Sequence, residues 1–292
     1  MSVAAQTKNT AGNLEVVPLT KHIGAEIRGV DLREKPDEAT VRAIYQAWLD
    51  HLVLIFPEQQ LSQEDLVRAT SFFGEIGKLS RPPKHFPKGY SSLLPGIMMV
   101  SNIRENGEPI GVLPDGEMMF HHDMIHAEVP SKATLLHAVE IPSAGGNTLF
   151  ASGYAAYDSL DPTIRGKLEG KKALHHYNYG TTVRGGKMGT EAFAECVHPV
   201  FRTHEDTGRK AVYVNRLMTV KVLDMAQEVS DQLLNAVFDH AEKREFVYEH
   251  VWRVGDLLLW DNRCSSHART DFASTERRLM LRTTVQGTVR PY

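Results

Sequence analysis

His121 and Asp123 stand two positions apart in the segment Gly-Glu-Met-Met-Phe-His-His-Asp-Met. In an extended chain residues i and i+2 point to the same face. These two metal-ligand types can therefore aim at one point, while His122 turns away to pack or hydrogen-bond elsewhere. Two ligands do not make a centre, and His267 is the best third candidate. It follows an apolar strand at 257–260 and the polar break Asp261-Asn262-Arg263, and strand ends at a barrel mouth are where small-ligand sites collect. Two imidazoles and one carboxylate on one face of a metal leave three positions open. That suits a non-haem Fe(II) centre, which must hold O₂ and a second ligand together. Zinc in a three-ligand hydrolase is the chemical rival.

A strand expected over 278–286 bears on the choice. By period two, Arg278, Met280, Arg282 and Thr284 share one face, and Leu279, Leu281, Thr283 and Val285 share the other. Two arginines pointing inward from a buried strand are costly without anions to pair with. A guanidinium is suited to gripping a carboxylate with two parallel bonds. An iron site beside two such arginines calls for an anionic organic ligand. 2-Oxoglutarate is one: its 1-carboxylate and keto oxygen chelate iron, and its far carboxylate needs a cationic anchor.

The elements that must position these groups are mostly strands. Alternation with glycines at Gly24 and Gly29 predicts short strands within 14–32. Pro36-Asp37-Glu38 opens a helix carrying Val41, Ile44, Tyr45 and Trp48. The run 52–56 reads as a buried strand. Ser62-Gln63-Glu64-Asp65 resembles a capping box for a helix that ends at Gly74. Residues 78–117 are punctuated by proline and glycine, with only 97–102 strand-like, and read as a lid. Strands are expected at 133–139, 148–150 and 172–179, a helix at 158–169, and a hairpin between 197–201 and 210–215. An amphipathic helix follows at 230–243, then alternation through Phe246, Tyr248, His250 and Trp252. Many short strands, few helices and no βαβ alternation predict a mainly β fold with flanking helices, most simply a double-sheet jelly roll. The expected organisation is a flexible tail over 1–13 and one domain over 14–292.

Composition excludes several classes. The chain has 292 residues, 42% hydrophobic and 24% charged, with net charge −3; its basic residues are scattered, which does not favour nucleic-acid binding. No run reaches the length of a membrane helix, and the N-terminus lacks the apolar core of a secretion signal. The two cysteines, Cys196 and Cys264, are far apart and without metal-type spacing. They read as reduced thiols in a cytoplasmic protein.

The motifs, taken in order, resemble the taurine dioxygenase / 2,4-dichlorophenoxyacetate dioxygenase (TauD/TfdA) family of Fe(II)- and 2-oxoglutarate-dependent oxygenases, over nearly the whole chain. Pro18-Leu19-Thr20, Ile23-Gly24-Ala25-Glu26-Ile27 and Gly29-Val30-Asp31-Leu32 are similar to its N-terminal segment. His121-x-Asp123, Gly145-Gly146-Asn147-Thr148, His198-Pro199 through Asn215, Trp260-Asp261-Asn262 with His267, and Arg277-Arg278 with Arg282 match its later motifs. The resemblance implies a double-stranded β-helix and iron held by His121, Asp123 and His267. It places the far carboxylate of 2-oxoglutarate on Thr148 and Arg278, and an anionic group of the primary substrate on Arg282. It implies conversion of 2-oxoglutarate and O₂ to succinate and CO₂, coupled to hydroxylation of a small anionic substrate such as a sulfonate, aryloxyalkanoate or other carboxylate. Where the hydroxylated carbon bears a sulfonate or aryloxy group, the product cleaves. An aspartate at 123 disfavours halogenation. Dimers and tetramers are common in the family. A zinc-type metallohydrolase and a non-catalytic 2-oxoglutarate-binding protein are the competing readings.

Three positions depart from the taurine dioxygenase pattern. The asparagine four residues before the first ligand is Glu117, the aromatic after Val214-Asn215 is Met218, and Tyr177 takes another pocket position. Together they argue against taurine as substrate. Glu117 either accepts a hydrogen bond from a substrate amine or hydroxyl, or faces solvent.

Overall fold

The strands Val53–Phe56 and Leu257–Asp261 carry no polar stripe because both of their faces are covered. Leu54, Phe56, Leu257 and Leu259 turn one way and pack with Ile44, Trp48 and Leu66 from two helices and with Phe73 just past the second. Val53, Ile55, Leu258 and Trp260 turn the other way, into a second layer with Phe150, Tyr154 and Trp252. The run at 257–260 is therefore continuous in apolarity but alternates in destination, as a period of two requires.

The computed structural model describes residues 11–78, 93–113, 116–177, 182–183 and 194–292. The largest sheet has seven strands in the order Glu15–Pro18, Ala25–Arg28, Val53–Phe56, Leu257–Asp261, Ala133–Glu140, Leu279–Val285 and Met98–Ser101. A four-stranded sheet runs Val247–His250, Thr148–Ser152, Ser265–Arg269 and Met118–His121. Side chains from both sheets meet in the second core layer, and the site described below opens beside it. A smaller three-stranded sheet, Ala194–Pro199, Lys172–Tyr177 and Thr219–Val222, packs under the helix Gln227–Ala241 through Leu233, Leu234, Val237 and Phe238.

The two N-terminal helices form where capping chemistry places them. Asp37 accepts from the Thr40 amide at the start of Glu38–His51. Ser62 and Asp65 form the reciprocal capping box of Gln63–Ser71. Ser62→Ala removes one half of that box and is expected to lower unfolding stability by about 1 kcal/mol, read as a shift in urea midpoint at constant slope.

Three sequence expectations change. The helix expected at 158–169 is two helices, Gly153–Ser159 and Pro162–Leu168. Pro162 disfavours helical backbone in the residue before it, and Asp161 caps the second helix instead. Residues 104–109, read as irregular, form a small hairpin of Arg104–Glu105 with Glu108–Pro109. Its turn is Asn106-Gly107, both at positive φ, the sequence best suited to a two-residue hairpin. The hairpin expected around Glu205-Asp206-Thr207-Gly208 pairs only Phe201–Thr203 with Lys210–Val212, since Ala194–Pro199 belongs to another sheet.

Within the expected lid, Met98–Ser101 pairs with Leu279–Val285 as the edge of the large sheet. The lid positions 79–92 and 114–115, Arg81 and His85 among them, lie outside the described residues, as do 1–10 of the expected tail and 178–179 of the expected strand. Among the described residues no helix is long and apolar enough to cross a membrane. Cys196 and Cys264 are both free thiols.

Candidate active site

Strand pairing brings the first two ligands together. In the register of Met118–His121 against Ser265–Arg269, His121 sits opposite His267, and the two rings lie 4.1 Å apart between centroids. Asp123 follows two residues beyond the strand end, where Met124 adopts a positive φ of 60°. Ligand atoms of His121, Asp123 and His267 all lie within 4.8 Å of one another, and all three residues are buried. Arg282 closes the group, with Nη2 2.7 Å from Asp123 Oδ1.

The protonation states suit a cation. Burial lowers the pKa of His121, and lowers that of His267 well below the ordinary value, so both rings are neutral donors. Burial alone would raise the Asp123 carboxyl, but the Arg282 guanidinium, with His267 and His121 beside it, holds it below the usual carboxylate range. His121 Nδ1 lies 2.9 Å from the Met119 carbonyl. A carbonyl only accepts, so Nδ1 carries the proton and Nε2 keeps its lone pair.

A relay fixes the carboxylate. Thr134 Oγ1 donates to Asp123 Oδ2 at 2.6 Å, Asn262 Nδ2 donates to Thr134 Oγ1 at 2.9 Å, and Trp260 Nε1 donates to Asn262 Oδ1 at 2.9 Å. An indole N–H can only donate, which sets the orientation of the Asn262 amide, and that amide sets the direction of the Thr134 hydroxyl. Partners of this kind orient a ligand and tune the metal it holds.

The triad opens into a cavity of about 240 Å³. Its lining includes Thr148, Arg269 and Arg278, the side chains of Met118, Met124, His126, Tyr177, Leu217 and Met218, and Arg282 beside the triad. Arg278 is 2% exposed. Its Nε has no hydrogen-bond partner among the described residues. Burial, with the Arg269 charge nearby, pushes its guanidinium down to about 9, so it remains a cation at neutral pH. The turn that delivers Thr148 is Gly145-Gly146, both at positive φ. A Cβ on Gly145 would fall 2.4 Å from the Asp271 carbonyl, so the turn admits no side chain there.

The family model described as "Taurine catabolism dioxygenase TauD, TfdA family" matches residues 15–284. The chain belongs to this family. Pentalenolactone F synthase of Streptomyces arenae is 31% identical over 284 residues, covering 91% of this chain and 93% of that one. The (S)-phenoxypropionate/alpha-ketoglutarate-dioxygenase of Sphingobium herbicidovorans is 30% identical over 285 residues, covering 94% and 95%. The crystal structure of AAD-2 in complex with Mn(II) and N-oxalylglycine matches with a TM-score of 0.79 at 28% identity, covering 96% of this chain and 99% of that one. This member of the TauD/TfdA family is a 2-oxoglutarate-dependent dioxygenase that uses Fe(II), 2-oxoglutarate and O₂. The metallohydrolase and the non-catalytic binding protein are set aside.

Most residues singled out from the sequence of this dioxygenase meet in the one cavity: His121, Asp123, His267, Thr148, Arg278, Arg282, Tyr177 and Met218 all line it. Glu117 does not. It is exposed and stands outside the lining. Strict alternation back from His121 would put Glu117 on the cavity face. The register slips by one residue, however, with Arg269 opposite Met118 rather than Met119. That bulge turns Met118 inward and Glu117 out to solvent.

Four further histidines of the dioxygenase are packed and hydrogen-bonded: His122 to Asn215, His175 to Thr219, His198 to the Ala127 carbonyl, and His204 to Asp261. His204, Asp261 and Cys264 also cluster, but Asp261 is already held by two nitrogens of Arg263, so the cluster is an ion-pair network. Sequence reasoning gave no role to Thr134, His126 or Trp252. Only a lone hydroxyl in an apolar strand marked Thr134. His126, three residues past Asp123, lines the cavity as well.

Proposed function

We propose that His121, Asp123 and His267 hold the iron, that Thr148 and Arg278 receive the far carboxylate of 2-oxoglutarate, and that Arg282 receives the anionic group of the primary substrate. The observation that carries this reading is Arg278: a cation 2% exposed, lining one cavity with the buried Thr148, and with no carboxylate in ion-pair distance among the described residues. A buried charge of that kind calls for an anionic ligand. The triad supports the rest, since two neutral imidazoles and an ionised carboxylate fit Fe(II). Iron so held, with 2-oxoglutarate and O₂, supplies an oxidant that places one oxygen atom in a substrate C–H bond and the other in succinate, with loss of CO₂.

The protein's own part is position and dryness. The Thr134–Asn262–Trp260 relay keeps Asp123 aimed at the metal. Arg278 and Thr148 set the far end of the cosubstrate, and the apolar wall excludes water from the reacting carbon. Met118, Tyr177, Leu217 and Met218 suit an apolar substrate body, and Arg282 suits a carboxylate or sulfonate on it. A relative's action on phenoxypropionate supports that class. Where the hydroxylated carbon carries an aryloxy or sulfonate group, the product falls apart. We read the facing seven- and four-stranded sheets as a double-stranded β-helix, residues 14–292 as one domain, and 78–117 as partly a lid.

A panel of aryloxyalkanoates, sulfonates and amino-acid derivatives, scored by succinate release, tests the reading. Release is expected to rise with the correct substrate and to vanish without O₂. Release unaffected by every panel member would count against a small anionic substrate. On the active member, Arg282→Gln is expected to raise the substrate KM about 10- to 100-fold, the worth of one charged hydrogen bond. The KM for 2-oxoglutarate should change far less; the reverse pattern would mean that Arg278 and Arg282 have exchanged roles.

A further inference from the structure

Thr148 lines the cavity and has a buried partner outside that lining. Trp252 Nε1 donates to Thr148 Oγ1 at 3.0 Å. The contact follows from register: His250 lies opposite Thr148 in the pairing of Val247–His250 with Thr148–Ser152, and Trp252 comes two residues later, 6% exposed and outside the cavity lining. The indole is braced. The His250 ring meets it edge-on at 4.7 Å and 87°, and His250 is itself held by Asp256 Oδ2 at 3.0 Å and Tyr248 Oη at 3.0 Å.

An indole N–H is a donor only, so toward Trp252 the Thr148 oxygen must accept. The single hydroxyl hydrogen is then left for another acceptor, on the side where Thr148 lines the cavity with Arg278. A carboxylate is acceptor-only and takes that hydrogen while Arg278 supplies the charge. We propose that Trp252 is a positioning residue for 2-oxoglutarate: it commits the Thr148 hydroxyl to donate into the cavity and so pre-organises the carboxylate anchor. This rests on the assignment of Thr148 and Arg278 as that anchor.

The test is a double-mutant cycle on binding, by calorimetry of 2-oxoglutarate with the Mn(II)-loaded protein. Trp252→Phe keeps an aromatic ring on the His250 side and loses the donor together with part of the indole's volume, and the Thr148→Val background separates the two. The substitution is expected to weaken 2-oxoglutarate roughly fivefold, the order of one hydrogen bond, and to have no effect in a Thr148→Val background. Equal weakening in both backgrounds, or none in either, overturns the proposal and leaves the anchor standing. Thr148→Val and Arg278→Met both binding 2-oxoglutarate as the parent does would overturn the anchor and the proposal together.

A second measurement needs no change at Trp252. The chain has three tryptophans, and their indole N–H groups differ: Trp260 donates to Asn262, Trp252 donates to Thr148, and Trp48 has no acceptor among the described residues. In the Zn(II)-loaded protein, Thr148→Val is expected to move the Trp252 indole resonance upfield and speed its hydrogen exchange. Thr148→Ser, which keeps the hydroxyl, should leave both near the parent values. A Trp252 resonance indifferent to Thr148→Val overturns the proposal.

Discussion

Asp123→Ala is expected to abolish succinate release, by a factor of at least about 10³. Replacing a residue that merely orients a metal ligand typically costs about 10- to 100-fold in metal affinity or activity; removing a ligand itself should cost more. Asp123 is also the one anionic donor of the three, so its loss leaves a dication facing two neutral imidazoles with the Arg282 guanidinium close by. The substitution strips Arg282 and Thr134 of the carboxylate they both bind. Part of the effect could therefore be on folding, since breaking a buried pair costs about 3–5 kcal/mol. Arg282 keeps 20% side-chain exposure, which places the cost toward the low end. Metal content of the purified variant and its circular dichroism separate the two effects. A folded, metal-poor, inactive protein is the expected result. A folded variant that keeps iron and turns over at the parent rate would falsify the metal assignment.

How much of this site could be read without coordinates follows from whether each feature is local. Choosing His121 over His122 needs only the two-residue period of a strand, and the structure agrees: His122 bonds to Asn215, away from the triad. The inward face of Arg278, Met280, Arg282 and Thr284 is equally local, and three of these four line the cavity while Met280 is fully buried beside it. Glu117 stays open between substrate and solvent in the sequence because its direction depends on a bulge, and a bulge is a relation between two strands nearly 150 positions apart. The contact from Trp252 to Thr148 is hidden for the same reason, as it exists only once 247–250 is paired with 148–152. The Pro162 helix break and the Asn106-Gly107 hairpin differ in kind. Both were written in local turn chemistry, and the first was outweighed by helical periodicity across 158–169. What stayed illegible is long-range register, and register decides which side chains share a cavity.

Arg278→Met is the second large effect, and its signature is a pair of opposite signs. Binding of 2-oxoglutarate is expected to weaken about 10²- to 10³-fold, because truncating one partner of a buried charge pair costs about 2–5 kcal/mol. Stability of the ligand-free protein should not fall with it. The guanidinium is buried, its Nε has no partner among the described residues, and Arg269 lies close enough to lower its pKa further. Exchanging an unneutralised buried charge for an apolar chain of similar length removes a desolvation cost, and replacing buried ionic groups by packed apolar ones is commonly neutral or stabilising by about 1–4 kcal/mol. The parent gains about 2.7 kcal/mol from a ligand at 100 times its Kd. For a chain of this size that is several degrees of Tm, at roughly 2–4 °C per kcal/mol. Thermal denaturation with and without 2-oxoglutarate should therefore cross: the variant melts at or above the parent without the ligand and below it with the ligand. A variant that melts lower in both conditions would place Arg278 in a structural ion pair. One that still gains the parent's full ligand-induced shift would move the carboxylate anchor elsewhere in the cavity, with Arg269 the nearest remaining cation.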